Sequence, residues 1–205
     1  VYGNAGPLNG GIHIGQPYLP GQTLPAVNGG LAYNQRVNVH HNAISMNGMV
    51  EGAPGAVAPA ANTGSAGAGL SICAGTDNYR VTSNWVCGNY SSSNGGGIGH
   101  VGHSRNGNIS KNTIIFNESF NQVGVQNGGG LSIEGEVIGG STIGTGHVTV
   151  DSNLIQGNFA RAGHGGGVRL QSVNGLDAAR GANNRWRVTM TNNIIVNNVA
   201  GWSGG

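Results

Sequence analysis

The sequence predicts an all-β chain, a right-handed parallel β-helix of about five to six rungs with loop insertions. Three observations carry this. A pair of asparagines five residues apart recurs in an apolar frame. A glycine cluster followed by an apolar-x-apolar triplet recurs between those pairs. The composition, with 41 glycines, 8% charged and 5% aromatic residues, leaves little material for long helices. Disorder is opposed by a hydrophobic fraction of 37%, arranged in short runs that alternate at period two as strands do.

The first element is the frame apolar-x-x-Asn-x-apolar-x-x-Asn. It runs from Val39 through Asn42 and Ile44 to Asn47, and from Val81 through Asn84 and Val86 to Asn89. It returns from Ile109 through Asn112 and Ile114 to Asn117, from Val150 through Asn153 and Ile155 to Asn158, and from Met190 through Asn193 and Ile195 to Asn198. From first Asn to first Asn the intervals are 42, 28, 41 and 40 residues. The shortest reads as a bare rung, and the longer ones as rungs carrying insertions.

The second element is the glycine-led triplet. It appears as Gly10-Gly11-Ile12-His13-Ile14, Gly69-Leu70-Ser71-Ile72, Gly97-Ile98-Gly99-His100-Val101, Gly130-Leu131-Ser132-Ile133 and Gly167-Val168-Arg169-Leu170. Ser203-Gly204-Gly205 reads as the opening of another copy. In a coil of short strands, one side-chain face points inward and the other outward, which accounts for the alternation. Corners need left-handed backbone, which Gly and Asn adopt at least cost. Asparagines at matched corners can hydrogen-bond from rung to rung. The insertions are expected at about 15–33, 48–66, 137–146 and 173–184, all rich in Gly, Ala, Pro, Asn or Ser. They read as loops leaving one corner of the coil, where repeat proteins often place their binding surface. Residues 1–205 thus read as a single parallel β-helix segment, an internal piece of a longer exported protein.

The alternation of Gly95-Gly96-Gly97-Ile98 with Ile-x-x-Asn resembles the parallel β-helix repeats of the pectate-lyase-like superfamily. It is especially similar to repeats of bacterial polymorphic outer-membrane proteins and related adhesins, which pair a Gly-Gly-Ala-Ile-like motif with Phe-x-x-Asn. Here the apolar partner is aliphatic, as in Ile44/Asn47, Val86/Asn89, Ile114/Asn117, Ile155/Asn158 and Ile195/Asn198. The resemblance implies the fold and leaves function open, because the fold hosts lyases, hydrolases, epimerases, adhesins and spikes.

Charge excludes some classes. The net charge is +2, and Lys111 and the arginines are scattered rather than clustered, so no basic stripe for nucleic acid is formed. No apolar run approaches the roughly 20 residues that span a bilayer as a helix. Polysaccharide lyases and hydrolases of this fold work with clustered carboxylates, and this chain has only seven acids. Glu134 and Glu136 are the one close pair, and as residues two apart on a strand they can share a face. They are the candidate acid and base, or a candidate Ca²⁺ site, set against a reading as two solvated acids at a loop entrance. Asp151 occupies a slot filled elsewhere by His40, Thr82, Ser110 and Thr191, which reads as solvent-facing.

His100 and His103 are candidate metal ligands if a third group approaches, set against surface or corner histidines. Cys73 and Cys87 are expected to form the one disulfide of an exported protein, with two buried thiols as the alternative. Asn89, Asn108 and Asn117 begin Asn-x-Ser sequons, and two of these are ladder asparagines. A lengthwise row of exposed rings would indicate sugar stacking, whereas Trp85 and Phe116 can equally be core or corner packing. The leading expectation is a non-catalytic structural or adhesive solenoid at the cell surface or outside it, with no required cofactor. It would associate with itself, as a filament of stacked copies, or with other surface proteins. The alternative is a polysaccharide-acting enzyme or a glycan-binding module.

Overall fold

The computed structural model describes residues 1–6, 10–15, 34–49, 67–120, 124–138, 141–175 and 188–205, with backbone alone at Met49, 136–138 and 141–143. Among these residues all regular structure is β, and no helix is present. The strands are two to four residues long and, apart from one hairpin, stack in parallel, as in a parallel β-solenoid.

Four sheets carry the architecture. The first follows the glycine clusters and stacks Ile12–Ile14, Leu70–Ile72, Ile98–Val101, Leu131–Glu134 and Val168–Gln171. The second precedes the first Asn of each pair and stacks Asn38–His40, Arg80–Thr82, Gly107–Ser110, Val148–Asp151 and Val188–Thr191. The third lies between the two asparagines, with Ala43–Ser45, Trp85–Cys87, Thr113–Ile115, Leu154–Gln156 and Ile194–Val196. The fourth follows the second Asn, with Ala5–Gly6, Gly48–Met49, Tyr90–Ser91, Glu118–Ser119, Phe159–Ala160 and Val199–Ala200.

Equivalent repeat positions are in register. Ile44, Val86, Ile114, Ile155 and Ile195 form one column, and Val39, Val81, Ile109, Val150 and Met190 another. Apart from the exposed Ile195, these columns pack with Leu70, Ile72, Ile98, Leu131 and Ile133 of the first sheet in the interior. Each fully buried aliphatic side chain contributes about 1.5–3 kcal/mol of transfer free energy. Among its described side chains the fourth sheet buries the small residues Ser91, Ser119 and Ala160, where the chain passes into the glycine corner.

The corners differ from expectation in one respect. The left-handed residue is not the ladder asparagine but the one before it. His41, Ser83, Lys111, Ser152 and Asn192 precede the first Asn with φ of 54–56°, and Met46, Phe116 and Asn197 precede the second with φ of 54–56°. That rotation turns the next side chain inward, where its amide bonds its neighbours. The local penalty of roughly 1–2 kcal/mol for a non-glycine residue is offset by those hydrogen bonds.

The glycine triplet at 95–97 shows why side chains are excluded. Gly95 has φ +70°, a Cβ on Gly96 would press into the backbone of Glu118 and Gly129, and one on Gly97 would lie 2.7 Å from Gly130 O.

The expected insertions resolve unequally. Residues 16–33, 50–66 and 176–184 lie outside the described residues, although Gly48–Met49 is already a strand of the fourth sheet. The stretch expected as a loop at 137–146 is instead largely an antiparallel hairpin, Glu136–Ile138 against Ser141–Gly144. The shortest interval, Asn84 to Asn112, is a coil without insertion.

Candidate functional site

The ladder asparagines are structural groups. In the first ladder the backbone N–H and the side-chain Nδ2 of Asn42 both donate to Asn84 Oδ1, each at 3.0 Å. The same pair of bonds repeats from Asn84 to Asn112, Asn112 to Asn153 and Asn153 to Asn193. The second ladder runs through Asn47, Asn89, Asn117, Asn158 and Asn198 in the same way. In both, Nδ2 also donates backwards to a carbonyl of the preceding coil, as Asn117 does to Val86 O at 3.0 Å. Each amide therefore satisfies a buried N–H and a buried carbonyl of the preceding coil while bonding the asparagine side chain of the next.

Two features went unread in the sequence. Asn4 extends the second ladder, donating to Asn47 Oδ1 at 3.0 Å, and its signal is Val1-x-x-Asn4. A further column sits at the glycine corner, where Asn127 donates to Asn94 Oδ1 and the His164 N–H donates to Asn127 Oδ1. Its signal is the polar residue directly before the glycine runs, Asn94, Asn127 and His164. Burial of Asn89 and Asn117 leaves those two sequons without an accessible acceptor.

His100 is neither a surface nor a corner residue. It is fully buried in the first sheet, between Ile72 and Ile133 in register. Tyr79 Oη lies 2.8 Å from His100 Nδ1, and His100 Nε2 lies 2.8 Å from Gly102 O. A carbonyl can only accept, so Nε2 carries the proton, and Nδ1 accepts from the tyrosine hydroxyl. Both ring nitrogens are engaged, which corrects the expectation that His100 and His103 could share a metal. Burial holds the imidazole down to a pKa of about 4 and pushes the Tyr79 phenol well above its usual range. Gly107 makes room for the tyrosine, since a Cβ there would lie on its ring.

Glu134 ends a strand of the first sheet, half-buried, with Ser132 Oγ donating to its Oε1 at 2.8 Å. Burial raises its pKa, opposed by Ser132, the Arg169 guanidinium and Asn94. A guanidinium beside the carboxylate works against a bound Ca²⁺. Glu136 begins the hairpin, and its side chain lies outside the described residues.

The other described carboxylates are also engaged in structure. Asp77 accepts from the Arg105 N–H at 2.7 Å and pairs with its Nε at 3.5 Å, and Glu118 pairs with Arg161 Nε at 2.7 Å. Asp151, exposed as expected, is held below its ordinary range by hydrogen bonds from Thr191, Ser152 and Asn192. Asp77, Glu118, Glu134 and Asp151 lie on four different sheets. Among the described residues no group of three His, Cys, Asp or Glu side chains converges on a metal position.

The pairing expected of Cys73 and Cys87 is not formed. Cys73 is buried just past Leu70–Ile72 with Sγ 3.8 Å from Ser71 Oγ, whereas Cys87 is half-buried in the third sheet beside Ser45 and Ile115. A whole strand of the second sheet and two corners separate them along the coil.

What remains uncommitted is the outer surface of the third and fourth sheets. Trp85 is 49% exposed, Phe116 61% and Met46 59%, and Tyr90 lies beside them on the fourth sheet with its hydroxyl donating to Phe120 O. These side chains are therefore not core. Met46 and Phe116 stand at left-handed corners and lie over Gly88 and Gly157 of the next coil. Arg161 stacks over Phe120 and Phe159 at 5.4 and 5.6 Å while holding Glu118. The arrangement is a ring-bearing outer face on a hydrogen-bonded ladder, with no acid–base pair among the described residues. Comparison with family models, curated proteins and solved structures found no match.

Proposed function

We propose that this chain is a non-catalytic structural and adhesive β-solenoid, a right-handed coil of five to six rungs within a larger exported or cell-surface protein. The observation that carries the reading is the outer face of Met46, Trp85, Tyr90 and Phe116, exposed on a frame whose polar residues are spent on stacking. Contiguous exposed apolar groups mark interaction surfaces, and aromatic rings give them contact area at low entropy cost. Partners would be other surface proteins or polysaccharide. Retention of the chain on insoluble glycans or surface proteins, without product release, tests this. Retention should fall in Trp85→Ala/Phe116→Ala, and release of reducing or unsaturated sugar would overturn the reading.

The enzymatic alternative is favoured by one observation, the raised carboxyl of Glu134 bonded to Ser132. Turnover that vanishes in Glu134→Gln/Glu136→Gln would establish it.

A further inference from the structure

Among the fully buried Ile, Leu and Val columns of the first and second sheets, Tyr79 and His100 meet as a pair of polar rings. Their hydrogen bond joins the first sheet to the turn that enters the second, across the lumen rather than along a stack. The levels on either side put Ile72 and Ile133 against the ring of His100, and neither can solvate a charge. We propose that the Tyr79–His100 pair is an acid-sensitive release point, at which protonation of His100 loosens the chain between about residues 76 and 110 while neighbouring coils stay stacked.

The groups facing His100 favour its neutral form. Tyr79 is uncharged, and His103, on the same turn, repels a second positive charge. Asp77, two residues before Tyr79, is engaged by Arg105. Only backbone at Gly102 and Thr145 favours the imidazolium, and burial outweighs it. A histidine whose folded pKa lies below its unfolded value contributes full stability above the unfolded pKa of 6.5. That stability is lost as pH falls from 6.5 towards about 4. Because a solenoid is coupled chiefly between nearest neighbours, the loss is local.

Hydrogen exchange at pH 7.5 and 4.5, corrected for intrinsic rates, reads it out. The opening equilibrium of amides in 76–82 and 98–110 should rise roughly 70-fold at the lower pH. In the third-sheet strands Leu154–Gln156 and Ile194–Val196, away from the pair, it should change far less. The double variant His100→Ile/Tyr79→Phe matches the neighbouring isoleucines and removes the hydroxyl, and its protection should be flat over this range. Equal protection of the wild type at both values would overturn the proposal, as would an undiminished pH response in the variant. Should the variant fail to fold, imidazole ¹⁵N shifts of the wild type decide. The proposal requires His100 neutral and Nε2-protonated at pH 5, and a charged His100 there refutes it.

Discussion

Replacing Asn117 by alanine isolates the energetics of the ladder. Its side chain makes four hydrogen bonds inside a fully buried site. Oδ1 accepts from Asn89 N at 3.0 Å and Asn89 Nδ2 at 2.8 Å, and Nδ2 donates to Asn158 Oδ1 and Val86 O, each at 3.0 Å. Truncation strips the Asn89 N–H of the acceptor it has here, while Asn89 Nδ2 keeps Ile44 O, and Asn158 Oδ1 keeps the Asn117 N–H. One orphaned buried donor costs about 1–3 kcal/mol, and each weakened partner costs less. The sum is about 4 kcal/mol, large against the marginal stability of a domain. Asn4→Ala is the control, because Asn4 is exposed and donates to a single ladder neighbour, and it should cost less than about 1 kcal/mol. Asn117→Asp should be no better than alanine, since its second oxygen would face Asn158 Oδ1 and Val86 O without a proton to give. Urea denaturation followed by far-ultraviolet circular dichroism measures the totals. Exchange of the Asn89 amide reports the orphaned group directly, without assuming that a solenoid unfolds in one step. A loss below about 1 kcal/mol for Asn117→Ala, or one equal to that of Asn4→Ala, would show that the ladder does not carry the stability assigned to it.

Further outcomes follow from other sites. Gly107→Ala should cost about 1–3 kcal/mol by driving a methyl group into the Tyr79 ring, visible as a lowered melting temperature. Ser83→Gly should gain about 0.5–1 kcal/mol, because Ser83 holds φ 56° at a left-handed cost that glycine avoids. A melting temperature unchanged or lowered would count against that account of the corners. Glu134→Gln keeps an acceptor for Ser132 and removes a carboxylate that burial disfavours. A raised folded pKa means the native state is weakened as pH climbs through it, so the variant should be at least as stable as the wild type at pH 8 by denaturation. Trp85→Ala and Phe116→Ala should each change stability by less than about 1 kcal/mol, and a larger loss would place those rings in packing rather than contact.

The stacking pattern was legible because it is periodic. A column such as Ile44, Val86, Ile114, Ile155 and Ile195 repeats the same physical demand at every level, and the sequence repeats with it. The positive-φ residues were not legible. His41, Ser83, Lys111, Ser152 and Phe116 share no side-chain chemistry, because the requirement there is on the backbone and is met at a cost that the following asparagine offsets. The disulfide expectation failed because spacing along the chain says nothing about which side of a coil a residue occupies. The His100–Tyr79 pair left a visible trace. Ile98-Gly99-His100 stands where Leu70-Ser71-Ile72 and Leu131-Ser132-Ile133 stand, and Gly107 where Val148 and Val188 stand. Reading those departures required the register that only the sheets supply.

The contrast between repeated and unrepeated positions also bears on where function sits. Along the inward column of the third sheet every residue is Ile or Val, while the adjacent outward column reads Ala43, Trp85, Thr113, Leu154 and Ile194. The same backbone, at the same spacing, imposes one residue type inside and no single type outside. Trp85 thus stands at a position where the stacked backbone imposes no single residue type. The described carboxylates Asp77, Glu118, Glu134 and Asp151 show the opposite pattern, each bound to a structural partner that a substrate would have to displace. Adhesion, as proposed above, would use this outer face without disturbing the ladder beneath it, whereas catalysis at Glu134 would first have to break the bond from Ser132.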